Sequence, residues 1–320
     1  MLRGKPAKVA LMEEARFKAM GSEVHAIVVG GPNGLARRAR ERIDELERRW
    51  SRFRPDSEIS RLNANAGRGI EVSDDTVELI SLAIEAWRLT GATFDPTVLG
   101  AVLRSGYTAS FEKLPPNAAP TPSDLVVACT DIEIDGNTVR LPARSGFDPG
   151  GIGKGLAADL VAAELLSAGA DGVCINMGGD LRCLGTPPDG AGWTVTIEHP
   201  WSSTLIASVG IADGAVATST TLRRRWTVAG AERHHLIDPR TGEPADTDLN
   251  LVTVIAGTAW AAEVVAKAVL VRGSLHPFDL VEGTGAYALI VDDGGAITVS
   301  DGFDAFLRYG WIADGVERCA

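Results

Sequence analysis

Two hydrophobic rhythms run through this chain, one of period two and one near 3.6, and they trade places along its whole length. Residues 17–29 alternate closely enough to predict a strand with a bend at Gly21. GGPNG at 30–34 is a turn, and residues 35–50 follow as an amphipathic helix rich in Arg and Glu. Residues 51–67 are polar and end on glycine, which predicts a loop with a short helix. Ser73, with Asp74 and Asp75 behind it, is an N-cap signal for a helix reaching Thr90. FDPTVLG at 94–100 reads as a loop, and KLPPNAAPTPSD at 113–124 as a proline-rich connector. Residues 131–141 predict a hairpin about Asp135-Gly136-Asn137. Helices are expected at 156–168 and 260–271, and strands at 172–177, 250–256 and twice near 287–299. Such interleaving predicts an α/β (α+β) fold. Residues 1–15 read as a flexible leader and 16–320 as a single domain.

Composition narrows the class. The chain has 320 residues, 45% hydrophobic and 23% charged, enough for a core without staples. A net charge of -11 argues against a nucleic-acid partner. The first 17 residues hold no apolar signal region, and no run approaches a membrane span. No membrane insertion and a cytoplasmic location are therefore expected. Cys129, Cys174, Cys183 and Cys319 form no CxxC pair and no zinc spacing, so buried or incidental thiols are expected. Cys174 and Cys183 flank a glycine turn across which they could approach.

Candidate chemistry gathers in a few polar stretches. FDPGGIGKGLAADL at 147–160 suggests a phosphate loop, but it fails both nucleotide patterns. Asp148 stands where a Walker loop needs its first Gly, and Leu156 where a dinucleotide loop needs its last. The glycines still permit close ligand approach, the following helix offers free N–H groups, and Lys154 adds a point charge. Asp148 repels phosphate unless it binds a polar edge or a cation. A tight turn with one solvated Lys stays open as the alternative. SRFRPDSEISRLN at 51–63 is a helix cap or a binding edge. INMGGD at 175–180 sets a carboxylate at the end of a strand, where α/β sheets bind ligands. HHLIDPRTGEP at 234–244 holds two adjacent histidines that lack the spacing of a helical metal pair.

Taken in order, FKAMGSEVHAIV, SRFRPDSEISRLN, FDPTVLG, FDPGGIGKGLAADL, INMGGDLRCLG, AVATSTTLRR, HHLIDPRTGEP and TAWAAEVVAKAVLVRG resemble the ApbE family of flavin transferases. The resemblance runs over residues 17–273, about four-fifths of the chain. It implies mixed sheets with packed helices, forming two subdomains around a flavin groove within one catalytic domain. It implies transfer of FMN from FAD to a Thr or Ser hydroxyl of an acceptor flavoprotein, with release of AMP. By the same resemblance Met20, Phe53, Glu58 and Asn63 line one edge of the groove, and Phe94, Asp95 and Pro96 a second. Asp148 and Lys154 meet flavin and pyrophosphate, Asp180 and Thr218 lie near the phosphates, and His235 and Ile237 belong to the His-x-Ile-Asp-Pro signature. His235, Asp180 and Lys154 are the expected catalytic groups.

Relatives are expected to hold Mg²⁺ through a backbone carbonyl, here Gly151, and an Asp and a Thr four residues apart on the late helix. This chain departs there: Glu263 replaces the Asp and Lys267 the Thr. The i, i+4 spacing keeps both on one face of an otherwise apolar helix. The expectation is that the Lys267 ammonium takes the metal's region, with Gly151 and Glu263 the candidate ligands should Mg²⁺ bind. Thr220 stands where Gly is usual, and Arg223, Arg224 and Arg225 follow, able to meet phosphates. The rival readings are an FAD pyrophosphatase, a non-catalytic FAD-binding protein and a flavin-dependent small-molecule enzyme.

Overall fold

The first alternating segment folds back on itself. In the computed structural model, which describes residues 11–318 apart from 116, 191 and 203, β1 (Met12–Ala19) pairs antiparallel with β2 (Ser22–Val29). Met20 and Gly21 make the two-residue turn, both left-handed at φ 49 and 64. Residues 12–15 of the expected leader are thus strand, because the alternation continues upstream of Phe17. The first ten residues and Cys319 lie outside the described residues.

That hairpin starts a nine-stranded sheet whose spatial order follows the chain. After β1 and β2 come β3 (Gly172–Met177), β4 (Leu181–Gly185), β5 (Gly214–Thr220), β6 (Leu249–Ala256), β7 (Tyr287–Asp292), β8 (Ile297–Val299) and β9 (Val316–Arg318). All neighbours are antiparallel except β8 and β9. Period-two alternation gives the sheet two apolar faces. Val24, Ala26, Val28, Ile175 and Ala217 pack on helices, while Cys174, Cys183, Val216 and Leu251 pack on a second sheet of strands Trp193–Glu198, Leu205–Ile211 and Leu307–Trp311.

The long excursion between β2 and β3 carries α1 (Leu35–Trp50), α2 (Glu58–Ala64), α3 (Asp74–Leu89), α4 (Leu99–Arg104) and α5 (Gly153–Ser167). It also carries the predicted hairpin, Glu133–Asp135 against Thr138–Arg140. α6 (Ala259–Arg272) precedes β7. Helices α1 and α3 have the extents the pattern predicts. FDPTVLG is only partly loop, since α4 begins inside it.

α5 starts three residues before the apolar pattern does. Glycine is a poor helix former, which masks Gly153 and Gly155 as helix in the sequence. Gly155 is needed for contact rather than for flexibility. A Cβ there would lie 2.4 Å from the Ala259 carbonyl oxygen and 2.7 Å from Trp260 Cα. Helices α5 and α6 therefore cross backbone to backbone. Asp159 of α5 accepts the Ala259 and Trp260 N–H groups, each at 2.9 Å, and so caps α6. α6 is apolar nearly all round and correspondingly buried.

Cys174 and Cys183 face each other across β3 and β4 with sulfurs 3.5 Å apart, as free buried thiols; Cys129 is also buried and free. No helix among the described residues is long and apolar enough to cross a membrane.

Candidate active site

The glycine stretch becomes a groove wall because three contacts fix its entry. The Asn63 side chain donates to the Phe147 carbonyl at 2.9 Å and accepts the Phe147 N–H at 2.7 Å. The Asp148 N–H donates to Pro96 O at 2.8 Å. Phe147 itself is fully buried. Asp148 then caps the turn Pro149–Gly151 by accepting the Gly150 N–H at 2.8 Å. Its other oxygen lies 3.2 Å from Arg52 Nε, so a cation does balance this carboxylate. At Gly151 a Cβ would lie 2.5 Å from the Phe94 ring; only glycine lets that ring close on the turn.

Arg52 organises the facing wall. Its guanidinium lies 4.1 Å from the Phe53 ring centroid and 4.9 Å from that of Tyr107, and it donates to Tyr107 O at 3.0 Å. Tyr107 stacks on Trp226 with centroids 5.1 Å apart. The result is a buried cation held over two rings, Phe53 and Tyr107, that meet edge to face at 64°. Across the mouth, Arg224 donates to Gly21 O at 2.9 Å and to Ser22 Oγ at 3.1 Å, tying the β5 exit to the β1–β2 turn. Together these walls enclose a cavity of about 390 Å³.

Four charges make its floor. The Lys154 ammonium donates to Asp180 and to Glu263 Oε1, the latter at 2.8 Å. Lys267 donates to the same Glu263 oxygen at 2.8 Å, and the Gly155 N–H donates to Oε2 at 2.7 Å. Glu263 is 0% exposed, while the Lys154 and Lys267 side chains retain 14% and 13% and open into the groove. Burial opposes charge on Glu263, but Lys154 and Lys267 outweigh it and hold the acid down at about 2. Burial likewise opposes charge on Lys154, yet Asp180 and Glu263 raise its pKa above the usual lysine range. For Lys267, with one carboxylate in contact, burial prevails and its pKa falls.

His235 faces this floor. Burial, then Arg224, Lys267, His234 and Lys154, push it well below the ordinary histidine value, so the ring is neutral at pH 7. Its Nδ1 is buried without a hydrogen-bond partner among the described residues. A neutral imidazole lining the same cavity as two ammonium groups can take a proton from a group attacking an anion held there.

The structure brings Met20, Phe53, Phe94, Asp95, Asp148, Gly151, Lys154, His235, Ile237 and Lys267 to one cavity. Asp180 and Glu263 stand behind Lys154. Four expected residues are elsewhere than on the wall. Asn63 and Pro96 hold residues 147–148. Glu58 accepts Ser73 N–H at 3.1 Å, Ser73 Oγ at 2.8 Å and the Thr76 hydroxyl, so it anchors the start of α3. Thr218 bonds Thr253 Oγ1 at 2.9 Å within the sheet. Even Asp95, at the groove edge, turns inward to the Thr97 N–H at 2.7 Å, and burial raises its pKa. Sequence reasoning passed over Arg52, although it sits beside Phe53 in the quoted stretch, and Tyr107, which carries no local signal. Arg224 came from the arginine run.

The residues do not fit a divalent ion. Both Glu263 oxygens are engaged, Lys267 stands against one of them, and Asp180 is paired with Lys154. Among the described residues no group of three or more His, Cys, Asp or Glu is arranged to hold a metal.

Known proteins carry the same architecture. The ApbE family model matches residues 20–290. An FAD:protein FMN transferase of Vibrio cholerae is 30% identical over 277 residues, 83% of this chain and 82% of the relative. One of Haemophilus influenzae is 28% identical over 306 residues, 88% of each chain. Among solved structures, the ApbE protein of Thermotoga maritima superposes with a TM-score of 0.84 at 28% identity, over 93% of this chain and 100% of that one. The flavin transferase ApbE of Vibrio cholerae gives 0.80 at 26% identity, with the same coverage. With the match spanning both groove walls, the charged floor and His235, the chain belongs to the ApbE family.

Proposed function

We propose that this chain is an FAD:protein FMN transferase that moves FMN from FAD to a Thr or Ser hydroxyl of an acceptor protein. The carrying observation is the meeting of His235 with the Lys154–Lys267 floor inside a groove walled by aromatic rings. The exposed Phe53 ring in the groove wall is suited to stack on one end of a flavin dinucleotide. The ammonium groups suit its pyrophosphate.

Transfer needs one bond made and one broken. The acceptor oxygen bonds to the FMN-side phosphorus and passes its proton to His235. The bridging P–O bond breaks, and AMP leaves with the bridging oxygen. Phosphoryl-type transfer relies on positioning and charge neutralisation. Lys154, kept charged by its two carboxylates, supplies that neutralisation as charge develops on the leaving phosphate. Asp180 is nearly fully buried and held by Lys154, so its role is to aim that ammonium rather than to take the proton. Because the floor does not fit Mg²⁺, no step is routed through a metal.

Family membership and the named relatives favour transfer over hydrolysis, binding alone or redox use of the flavin. Incubation with FAD and a protein that a curated relative flavinylates tests the reading. Covalent flavin fluorescence on a denaturing gel, with equimolar AMP, is expected. AMP without covalent flavin, or no AMP, would sink it. His235→Ala should lower transfer about 10²–10⁴-fold with FAD binding retained.

A further inference from the structure

The floor departs from a metal site in a way that assigns Lys267 a use. We propose that the Lys267 ammonium is a built-in cation, which meets the FAD pyrophosphate in place of a divalent metal ion. The inference rests on the reading that the groove binds FAD. It concerns this chain's own residues, since both positions four residues apart on α6 differ from a metal-ligating pair.

Three observations carry it. First, the ligand capacity of the floor is largely spent. Glu263 Oε1 accepts from both lysines and Oε2 from the buried Gly155 N–H, so a metal could reach Oε1 only by displacing a lysine. Second, the charges already balance. Two carboxylates, Asp180 and Glu263, face two ammonium groups, Lys154 and Lys267. A divalent ion there would stand among three cationic side chains, Lys154, Lys267 and Arg224, and gathering like charge in a buried pocket is unfavourable. Third, Lys267 is open on the groove side. An ammonium has three donors. Among the described residues Lys267 spends one, on Glu263, and its side chain lines the cavity.

An ion pair on an otherwise apolar helix is costly unless something uses it. A pyrophosphate above the floor is a chemically suited user, since a charge-assisted hydrogen bond to phosphate is among the stronger ones available. One positive charge polarises phosphorus less than Mg²⁺ does. Turnover is accordingly slower than in a metal-assisted enzyme, but it needs no metal.

The test reads FAD and metal binding rather than turnover, using flavin fluorescence and Mn²⁺ electron paramagnetic resonance on the full chain. In excess EDTA the unmutated protein should bind FAD as tightly as with Mg²⁺. With FAD present it should take up no Mn²⁺. Lys267→Met should weaken FAD binding in EDTA at least about tenfold, the loss expected for a hydrogen bond to a charged group. Lys267→Arg should retain most of the affinity. Glu263→Asp combined with Lys267→Thr should acquire one Mn²⁺ per chain when FAD is bound. Stoichiometric Mn²⁺ uptake by the unmutated protein, or FAD binding abolished by EDTA, overturns the proposal without any variant having to fold. So does a folded Lys267→Met protein with unchanged FAD affinity. FAD binding that follows these expectations without AMP release would instead overturn the transferase reading and leave the built-in cation standing. Failure to bind FAD overturns both.

Discussion

Gly155 shows how much one missing side chain decides. It sits in a helix, at ordinary helical dihedrals, where alanine is normally the better residue. Yet its Cβ would land 2.4 Å from the backbone of α6, which cannot swing aside like a flexible side chain. Gly155→Ala should therefore destabilise the fold by about 1–3 kcal/mol, the usual cost of overpacking, instead of adding the roughly 0.5–1 kcal/mol that helix propensity promises. The same substitution pushes Glu263 away from the Gly155 N–H and so disturbs both lysines. Urea unfolding compared with Gly153→Ala separates the two effects. A Cβ at Gly153 meets only ordinary contacts, at 3.6 Å or more, and should be tolerated. Equal loss at both positions would contradict the crossing argument.

At the level of elements, the site exists because α5 and α6 are locked together. Asp159 does this from α5 by taking two of the unpaired N–H groups at the start of α6, and Arg182 braces it at 3.1 Å. An amide cannot accept with both of its polar atoms. Asp159→Asn should thus cost about 0.5–2 kcal/mol, the range for a lost helix cap, and loosen the Lys267 end of the floor. Chemical denaturation gives the first number and FAD affinity the second; a neutral outcome in both would remove the cap from the account. The same pair of helices marks where the sequence is legible. α6 could be read from its nearly continuous apolar run, α1 from its amphipathic period, and α3 from the Ser73-Asp74-Asp75 start signal. The start of α5 could not, because glycines signal turns, and the reason for Gly155 lies in its contact with α6. The floor was half legible. Lys267 and Glu263 stood out as the polar pair of a buried helix, but nothing local says that Lys154 shares the same carboxylate oxygen. Glu58 and Thr218 failed in the opposite way: their residue types suited a ligand, while their actual partners are Ser73, Thr76 and Thr253.

For the molecule as a whole, the buried floor couples the site to global stability, and acid should expose the coupling. Glu263 has a folded pKa of about 2 against an ordinary value of 4.5. A depressed acid contributes stability that is fully present above 4.5 and is lost as the pH falls through 2. Asp159 works in the other sense: burial raises it to about 6, against the two N–H groups it accepts, so its contribution is full below 3.8 and is lost as the pH rises through 6. The two trends overlap near pH 4–5 and blur each other in a single profile. A difference experiment isolates the first. Glu263→Gln leaves Lys154 and Lys267 with Asp180 alone and should cost about 3–5 kcal/mol at pH 7, as for any buried ion pair robbed of one partner. Asp159 is present in both proteins, so only its coupling to Glu263, the least of the influences on it, survives the comparison. The gap between them should therefore stay constant down to about pH 4.5 and then narrow by up to about 1.4 kcal/mol per pH unit, as Glu263 of the unfolded chain takes up a proton that the folded chain does not. Urea unfolding at a series of pH values between 7 and 3.5 reads this directly. A gap that does not change below pH 4.5 would mean that Glu263 is not the buried, doubly paired anion on which the charged floor depends.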